Sequence, residues 1–185
     1  MTLTHCLRTI IHMRVISGKY RARVLSAPKD GVMPTIDRIK ESIFNIISDR
    51  IADSHCLDLF GGTGALGIEC ISRGAKSAVI ADNNPQSIKI IKQNLRGDTT
   101  AEVFNGDFLD ILSKLKNRQF NIIFLDPPYQ TDFAIKALER IKKHSMLAPD
   151  GIIIWEHPKD TPTKNKFYNA FDLRQYGSVG VTFLN

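Results

Sequence analysis

The chain has 185 residues, 43% of them hydrophobic and 24% charged, enough apolar material for one well-buried α/β domain with a short appendage but not for two full domains. No run approaches the ~18 apolar residues that cross a bilayer, and the first dozen residues lack a signal-peptide core, so a soluble, cytoplasmic protein without a membrane partner is expected. The formal charge is +6, with nine basic residues against four acids in residues 1–50 and a near balance thereafter; this suits a polyanion-docking segment, although a merely solvated basic face gives the same count.

Met13 directly precedes the first patterned segment, so residues 1–12 read as an upstream extension. In Arg14-Val-Ile-Ser-Gly-Lys-Tyr-Arg-Ala-Arg-Val-Leu25, the basic Lys19, Arg21 and Arg23 alternate with Tyr20, Ala22 and Val24. A period of two predicts a strand or hairpin with a basic face, and residues 13–34 are read as a basic hairpin arm. From Thr35 the period changes: Ile36, Ile39, Ile43, Phe44, Ile46, Ile47 and Ile51 recur at helical spacing and open a domain over residues 35–185.

Alternating elements follow. Strand 56–60 leads to helix 65–73, closed by Gly74, then strand 78–82 and helix 85–95 with proline at its start. Strand 102–105, a short helix 108–115, strand 121–125, helix 132–144 and strand 152–155 after a Pro-Asp-Gly turn complete the parallel series. Between the last two strands, 171–176 and 179–183, lie only Gly177-Ser178, too few residues for a parallel crossover but enough for a hairpin. The expected fold is therefore α/β, a seven-stranded, mostly parallel sheet ending in an antiparallel strand.

Cys6, Cys56 and Cys70 are an odd number without C-x-x-C spacing, and the five histidines are scattered, so neither a disulfide framework nor a metal site is expected. Cofactor chemistry is signalled instead by Asp58-Leu-Phe-Gly-Gly-Thr-Gly-Ala-Leu-Gly67, which puts glycines where a strand turns into a helix. Asp82 ends the next strand, where a carboxylate can accept both ribose hydroxyls of a nucleoside, and Asp107 after the third strand can meet an adenine amine. A dinucleotide site competes for this loop, but the chain has neither G-x-G-x-x-G nor a Gly-Lys-Ser/Thr ending. A carboxylate at Asp58 suits a cationic sulfonium cofactor better than a pyrophosphate.

Strand 121–125 runs into Asp126-Pro127-Pro128-Tyr129. The two prolines stiffen the turn and remove two amide donors, so backbone carbonyls remain as acceptors at the strand edge where open α/β sheets bind ligands. An aromatic amine is a poor nucleophile, and methyl transfer to it needs the amine oriented and its developing positive charge stabilised, a task for Asp126 and the Pro127 carbonyl. Tyr129 can stack on a base swung out of its helix. Alone, the tetrapeptide reads as a stiffened loop with a capping acid; after a glycine loop and an acid-ended strand it reads as a base pocket beside a nucleoside pocket. Trp155 reads as core, and Glu156 as either a pocket residue or a cap on the sheet.

Arg14–Arg23, Pro34-Thr-Ile-Asp-Arg-Ile-Lys-Glu-Ser-Ile-Phe-Asn45, Asp58–Glu69 and Asp126–Tyr129 together resemble the bacterial family that methylates guanine N2 in small-subunit ribosomal RNA, from Met13 to the end of the chain. The resemblance implies a Rossmann-like class I methyltransferase domain, S-adenosylmethionine as cofactor and ribosomal RNA, within a small-subunit particle, as partner of a monomeric enzyme. It implies catalytic roles for Asp126, Pro127 and Tyr129, and cofactor contacts from Asp58, Phe60, Gly62, Thr63, Gly64, Asp82, Asn83, Asp107 and Phe108. Substrate contacts are expected from Arg14, Lys19, Arg21, Arg23, Arg38 and Pro128. The chain departs from the family in having Gly61 where alanine is usual and Asp82 where glutamate is usual. Two other readings stay open: methylation of adenine N6 in DNA, disfavoured by the lack of a second domain for reading a duplex, and a non-catalytic RNA-binding assembly factor.

Overall fold

A computed structural model describes residues 13–27 and 34–185. The extension expected over residues 1–12 and the arm residues 28–33 lie outside the described residues. The elements are α1 (Pro34–Ile46), β1 (His55–Asp58), α2 (Ala65–Ser72), β2 (Ser77–Asp82), α3 (Pro85–Leu95), β3 (Ala101–Asn105), α4 (Phe108–Lys114), β4 (Phe120–Leu125), α5 (Phe133–Lys143), β5 (Leu147–Pro158), β6 (Ala170–Tyr176) and β7 (Val179–Leu184). They form a seven-stranded sheet in the order β3-β2-β1-β4-β5-β7-β6. β1 to β5 pair in parallel and β7 runs antiparallel between β5 and β6, the Rossmann-like class I methyltransferase arrangement. Among the described residues no helix is long and apolar enough to cross a membrane.

The central strands read as continuous apolar runs because both faces of a parallel sheet are covered. On β4, Ile122 and Phe124 join the core beneath α1, α2 and α3, whereas Ile123 and Leu125 join the core beneath α4 and α5. Phe44 of α1 meets Phe124 at 5.8 Å between ring centroids, and Trp155 is buried in the second core, as its sequence context implies. With both faces packed, the free ends of β1, β2 and β4 converge on one edge, where their C-terminal acids gather.

Two boundaries depart from the sequence reading. Helix α1 stops at Ile46, and the buried Ile47 and Ile51 flank a 3-10 turn, Ser48–Arg50, so helical apolar spacing outlasts the helix itself. Pro149-Asp150-Gly151, expected as a turn before the fifth strand, lies within β5: Phe120 pairs with Leu147 and Ile122 with Ile152. The extra residues form a bulge with Asp150 at φ 59°, which a turn-forming tripeptide accommodates without ending the strand.

The arm departs further. A single antiparallel bridge, Arg14 to Val24, closes a loop containing a 3-10 turn at Gly18–Tyr20. Gly18 sits at φ +83°, and a Cβ there would lie 1.8 Å from the Ser72 carbonyl oxygen, so the loop packs directly on α2. The ends of the segment pair as a short antiparallel hairpin, with the Val15 amide donating to the Arg23 carbonyl at 2.9 Å and the Leu25 amide to the Met13 carbonyl at 2.8 Å, but the alternating residues between them form the turn rather than a strand. Lys19 Nζ stands 3.5 Å from Asp98, whose carboxylate also accepts the Tyr20 hydroxyl. The Arg23 guanidinium lies 3.5 Å over the Tyr20 ring. Arg14 and Arg21 are exposed.

What holds the arm is Glu69, fully buried in α2. Its carboxylate accepts the Ile16 and Ser17 amides at 2.8 and 3.0 Å and Arg73 Nε at 2.7 Å, and Lys40 Nζ stands 3.6 Å away while donating to the Arg14 carbonyl at 2.5 Å. Burial pushes the Lys40 amine down from its ordinary pKa, and Glu69 opposes that shift. Asn94 of α3 adds a second clamp: it accepts the Ser26 amide at 2.7 Å and donates to the carbonyls of Ser26 and Thr63 at 3.0 and 2.9 Å. The arm is thereby joined to the glycine loop itself.

Candidate active site at the carboxyl edge of the sheet

After β1 the chain turns sharply through Gly61-Gly62-Thr63-Gly64. The Gly61 amide donates to the Ala81 carbonyl at 2.7 Å and the Gly64 amide to the Gly61 carbonyl at 2.6 Å, which pins the loop to β2. Gly62 sits at φ +55° and a Cβ added to it would meet nothing within 4 Å, so its backbone faces open space in which a ligand can approach closely. At Gly61 a Cβ would lie 2.6 Å from Ile80 Cγ2; here the bulk of Ile80 fills the place of the alanine methyl usual in the resembling family.

Asp82 is held by the loop it serves. Its Oδ2 accepts the Gly62 amide and its Oδ1 the Asn84 amide, both at 2.8 Å, leaving further acceptor capacity on each oxygen. Asp82, Asn83, Asn84 and Ser87 line one side of a cavity of about 540 Å³. Phe60, Phe108 and Phe133 line another; successive ring centroids lie 5.4 and 5.0 Å apart, an apolar wall suited to a purine ring. Asp126, Pro127, Pro128, Tyr129 and Glu156 complete the lining. A second cavity of about 230 Å³, lined by Asp58, Thr63, Lys40 and Met13 among others, shares Phe60, Gly62, Asp126 and Glu156 with the first.

The electrostatics of this cleft are set by buried acids. Asp58 is 2% exposed, accepts the Gly67 amide at 3.1 Å, and is pushed up to about 7 by burial, which outweighs that hydrogen bond. Burial likewise raises Asp126 to about 6, and Glu156 to about 8 with the Asp126 charge adding to it. The Tyr129 hydroxyl, beside Glu156, is raised to about 12, again first by burial. Lys40, which lines the smaller cavity, is held by the Arg14 carbonyl and Glu69, so these dehydrated carboxylates favour a positively charged ligand. Asp82 could hold the ribose of a nucleoside bearing a sulfonium and an ammonium group, the phenylalanine wall its purine, and Asp58 its amino-acid end.

Most residues singled out in the sequence meet here. Asp58, Phe60, Gly62, Thr63, Asp82, Asn83, Phe108 and the whole Asp126–Tyr129 turn line the two cavities. Gly64, at φ +80°, stands behind the wall against Ile68 and Ile91. Asp107 is exposed and caps α4, its Oδ1 accepting the Leu109 amide at 2.8 Å; its neighbours Gly106 and Phe108, rather than Asp107, line the cavity. Arg38 lies in a surface groove with Glu41, Asn45 and Arg174, and Arg14 and Arg21 line another with Asp37 and Glu41. Phe133 and Ser87 were not foreseen, since an aromatic or a serine in the first turns of a helix carries no sequence signal of its own. Glu156, read from the sequence as either a pocket residue or a cap on the sheet, lines both cavities.

Residues 13–185 match the model of the family described as Conserved hypothetical protein 95. The chain is 36% identical over 156 residues to the ribosomal RNA small subunit methyltransferase D of Haemophilus influenzae, covering 81% of each protein. It is 34% identical over 149 residues to the protein of that name in Escherichia coli strain K12, covering 78% of this chain and 74% of that one. Among solved structures, yhhF of Escherichia coli superimposes with a TM-score of 0.84 at 30% identity, covering 94% of this chain and 97% of that chain. Matched along nearly its whole described length, the chain belongs to the Conserved hypothetical protein 95 family, alongside the ribosomal RNA small subunit methyltransferase D proteins.

Proposed function

We propose that the chain transfers a methyl group from S-adenosylmethionine to the exocyclic N2 amine of a guanine in small-subunit ribosomal RNA, acting as a cytoplasmic monomer on a small-subunit particle. The observation that carries this reading is the placement of Asp126, Pro127 and Tyr129 on the wall of the cavity that also holds Asp82, in a chain whose curated relatives are named ribosomal RNA small subunit methyltransferase D. S-adenosylmethionine supplies an electrophilic methyl group on a positively charged sulfur. Asp126 and the Pro127 carbonyl would accept hydrogen bonds from the amine, aim its lone pair and stabilise the charge that develops on nitrogen as the N–C bond forms and the S–C bond breaks, the surplus N–H proton then passing to solvent. Tyr129, 48% exposed at the mouth, stacks on the base, and Pro128 stiffens the turn that presents both. Ribosomal RNA from cells lacking the gene should have lost one N2-methylguanosine that returns on complementation; an unchanged nucleoside profile contradicts the proposal.

Cofactor affinity should depend on pH in a direction the acids dictate. Asp58, Asp126 and Glu156 lie near 7, 6 and 8 in the free protein, and a cation beside them favours their ionised forms. Binding then releases protons, so affinity rises with pH between 6 and 8 and is lost as pH falls through that window. By calorimetry we expect S-adenosylmethionine to bind about tenfold more tightly at pH 8 than at pH 6, one pKa unit of coupling; a flat profile would remove the acids from the cofactor site.

RNA docking is assigned to the arm over residues 13–34 and to Arg38. Because Lys19 and Arg23 are engaged by Asp98 and Tyr20, the exposed Arg14 and Arg21 carry the larger share. Neutralising both should weaken RNA binding and lower the slope of log K against log salt by roughly 0.7–0.9 per side chain, with cofactor affinity unchanged. A steeper or unaltered slope contradicts this assignment.

A further inference from the structure

Glu156 lines the cleft but takes no part in the transfer step carried by Asp126, Pro127 and Tyr129. Glu156 directly follows Trp155 of β5, which pairs with Leu125 of β4, and Asp126 directly follows Leu125. The two acids therefore stand side by side on neighbouring parallel strands, about 4.8 Å apart at the backbone. Both line the 540 Å³ and the 230 Å³ cavities. Among the described residues no lysine, arginine or histidine lines the larger cavity, and Lys40, on the smaller one, is engaged by the Arg14 carbonyl and Glu69. Glu156 has no cationic partner among the described residues; its side-chain hydrogen bond is with the Tyr129 hydroxyl, which occupies only part of the acceptor capacity of its carboxylate. It borders the same cavity as Asp126 and Pro127, into which the base would have to enter for its amine to reach them.

Resting on the guanine-N2 reading, we propose that Glu156 selects the base: its carboxylate accepts the N1–H of guanine while Asp126 and the Pro127 carbonyl take the neighbouring N2 amine. Guanine presents two adjacent donors on this edge, N1–H and N2–H, and two adjacent ionised carboxylates are acceptors only. Adenine presents its amine beside the bare lone pair of N1, which would face a carboxylate with no proton between them. A site built to satisfy a donor rejects analogues lacking it far more strongly than shape alone can. Burial favours the protonated acid in the free protein; a bound sulfonium restores the acceptor form, so selection operates once the cofactor is in place. Glu156 acts as a positioning residue and exchanges no atom with the substrate.

2-Aminopurine isolates this contact, because it keeps the 2-amino group and replaces N1–H by a lone pair. The measurement is kcat/KM on the RNA substrate carrying guanine or 2-aminopurine at the target position. In parallel, fluorescence titration of the 2-aminopurine RNA with S-adenosylhomocysteine present reads base binding without turnover. The wild-type protein should prefer guanine by roughly 100-fold or more. Glu156→Gln, whose amide can turn to donate to N1, should lose activity on guanine, bind 2-aminopurine RNA more tightly and narrow the preference to about tenfold or less. A wild-type ratio near one overturns the proposal by itself, even if the variant does not fold. A folded Glu156→Gln with the wild-type ratio overturns it while leaving guanine-N2 transfer standing. Absence of label on guanine with wild-type protein removes the underlying reading instead.

Discussion

Replacing Asp126 by alanine is expected to lower kcat by about 100-fold or more, with KM for RNA changed little. The reason is the stage at which the carboxylate acts. A neutral aromatic amine gains positive charge only as the new N–C bond forms, so an acceptor fixed beside it is worth more in the transition state than in the bound ground state. Asp126 is fixed: it directly follows a strand buried on both faces and precedes two prolines that hold the turn. The side chain also borders the cofactor cavity, so some loss of cofactor affinity accompanies the substitution, and rates should be compared at saturating cofactor. A fall of less than about fivefold in kcat would show that Asp126 is not in contact with the reacting amine.

Glu69→Ala should be the most damaging substitution away from the cleft. It would strip two backbone amides, Arg73 and Lys40 of their shared acceptor, with Glu69 and Lys40 only 0% and 2% exposed. Removing one member of such a buried group typically costs ~3–5 kcal/mol, because the ion left behind keeps its desolvation penalty. For a domain of this size that corresponds to a fall in Tm of roughly 10 °C. Adding Lys40→Met should recover part of the loss by removing the stranded ammonium. A Tm within about 2 °C of the wild-type value would mean that the arm is held by its apolar contacts, through Val15 and Leu25, rather than by Glu69.

Much of this was legible in the sequence because the parallel sheet writes itself plainly. Continuous apolar strands, helices of period 3.6 and a two-residue link at Gly177-Ser178 leave few alternatives, and acids that end such strands fall on one edge. Asp58, Asp82 and Asp126 could be placed together for that reason. In the arm only the ends pair as a hairpin, because alternation signals a strand only when φ stays extended, and Gly18 at φ +83° and Ala22 at φ 65° bend the residues between them into a turn on α2. Asp107 misled in a smaller way: an acid after a strand can also cap the next helix, and the Leu109 amide claims one of its oxygens. Glu69 and Lys40 were invisible as partners, since charged residues within amphipathic helices usually face water and only the docked arm supplies the acceptors and donors that bury them.

The central claim is that the Asp126 cleft methylates guanine N2 in ribosomal RNA, and it is tested most directly by following the methyl group. The purified protein is incubated with methyl-labelled S-adenosylmethionine and, separately, unmodified small ribosomal subunits, naked small-subunit ribosomal RNA and DNA, and the labelled nucleoside is identified after digestion. We predict label in N2-methylguanosine from ribosomal RNA, in greater yield from the subunit than from the naked RNA. Label in N6-methyladenine of DNA would keep the chemistry of Asp126 and contradict the substrate, and absence of label from every substrate despite measurable cofactor binding would contradict methyl transfer to any of them.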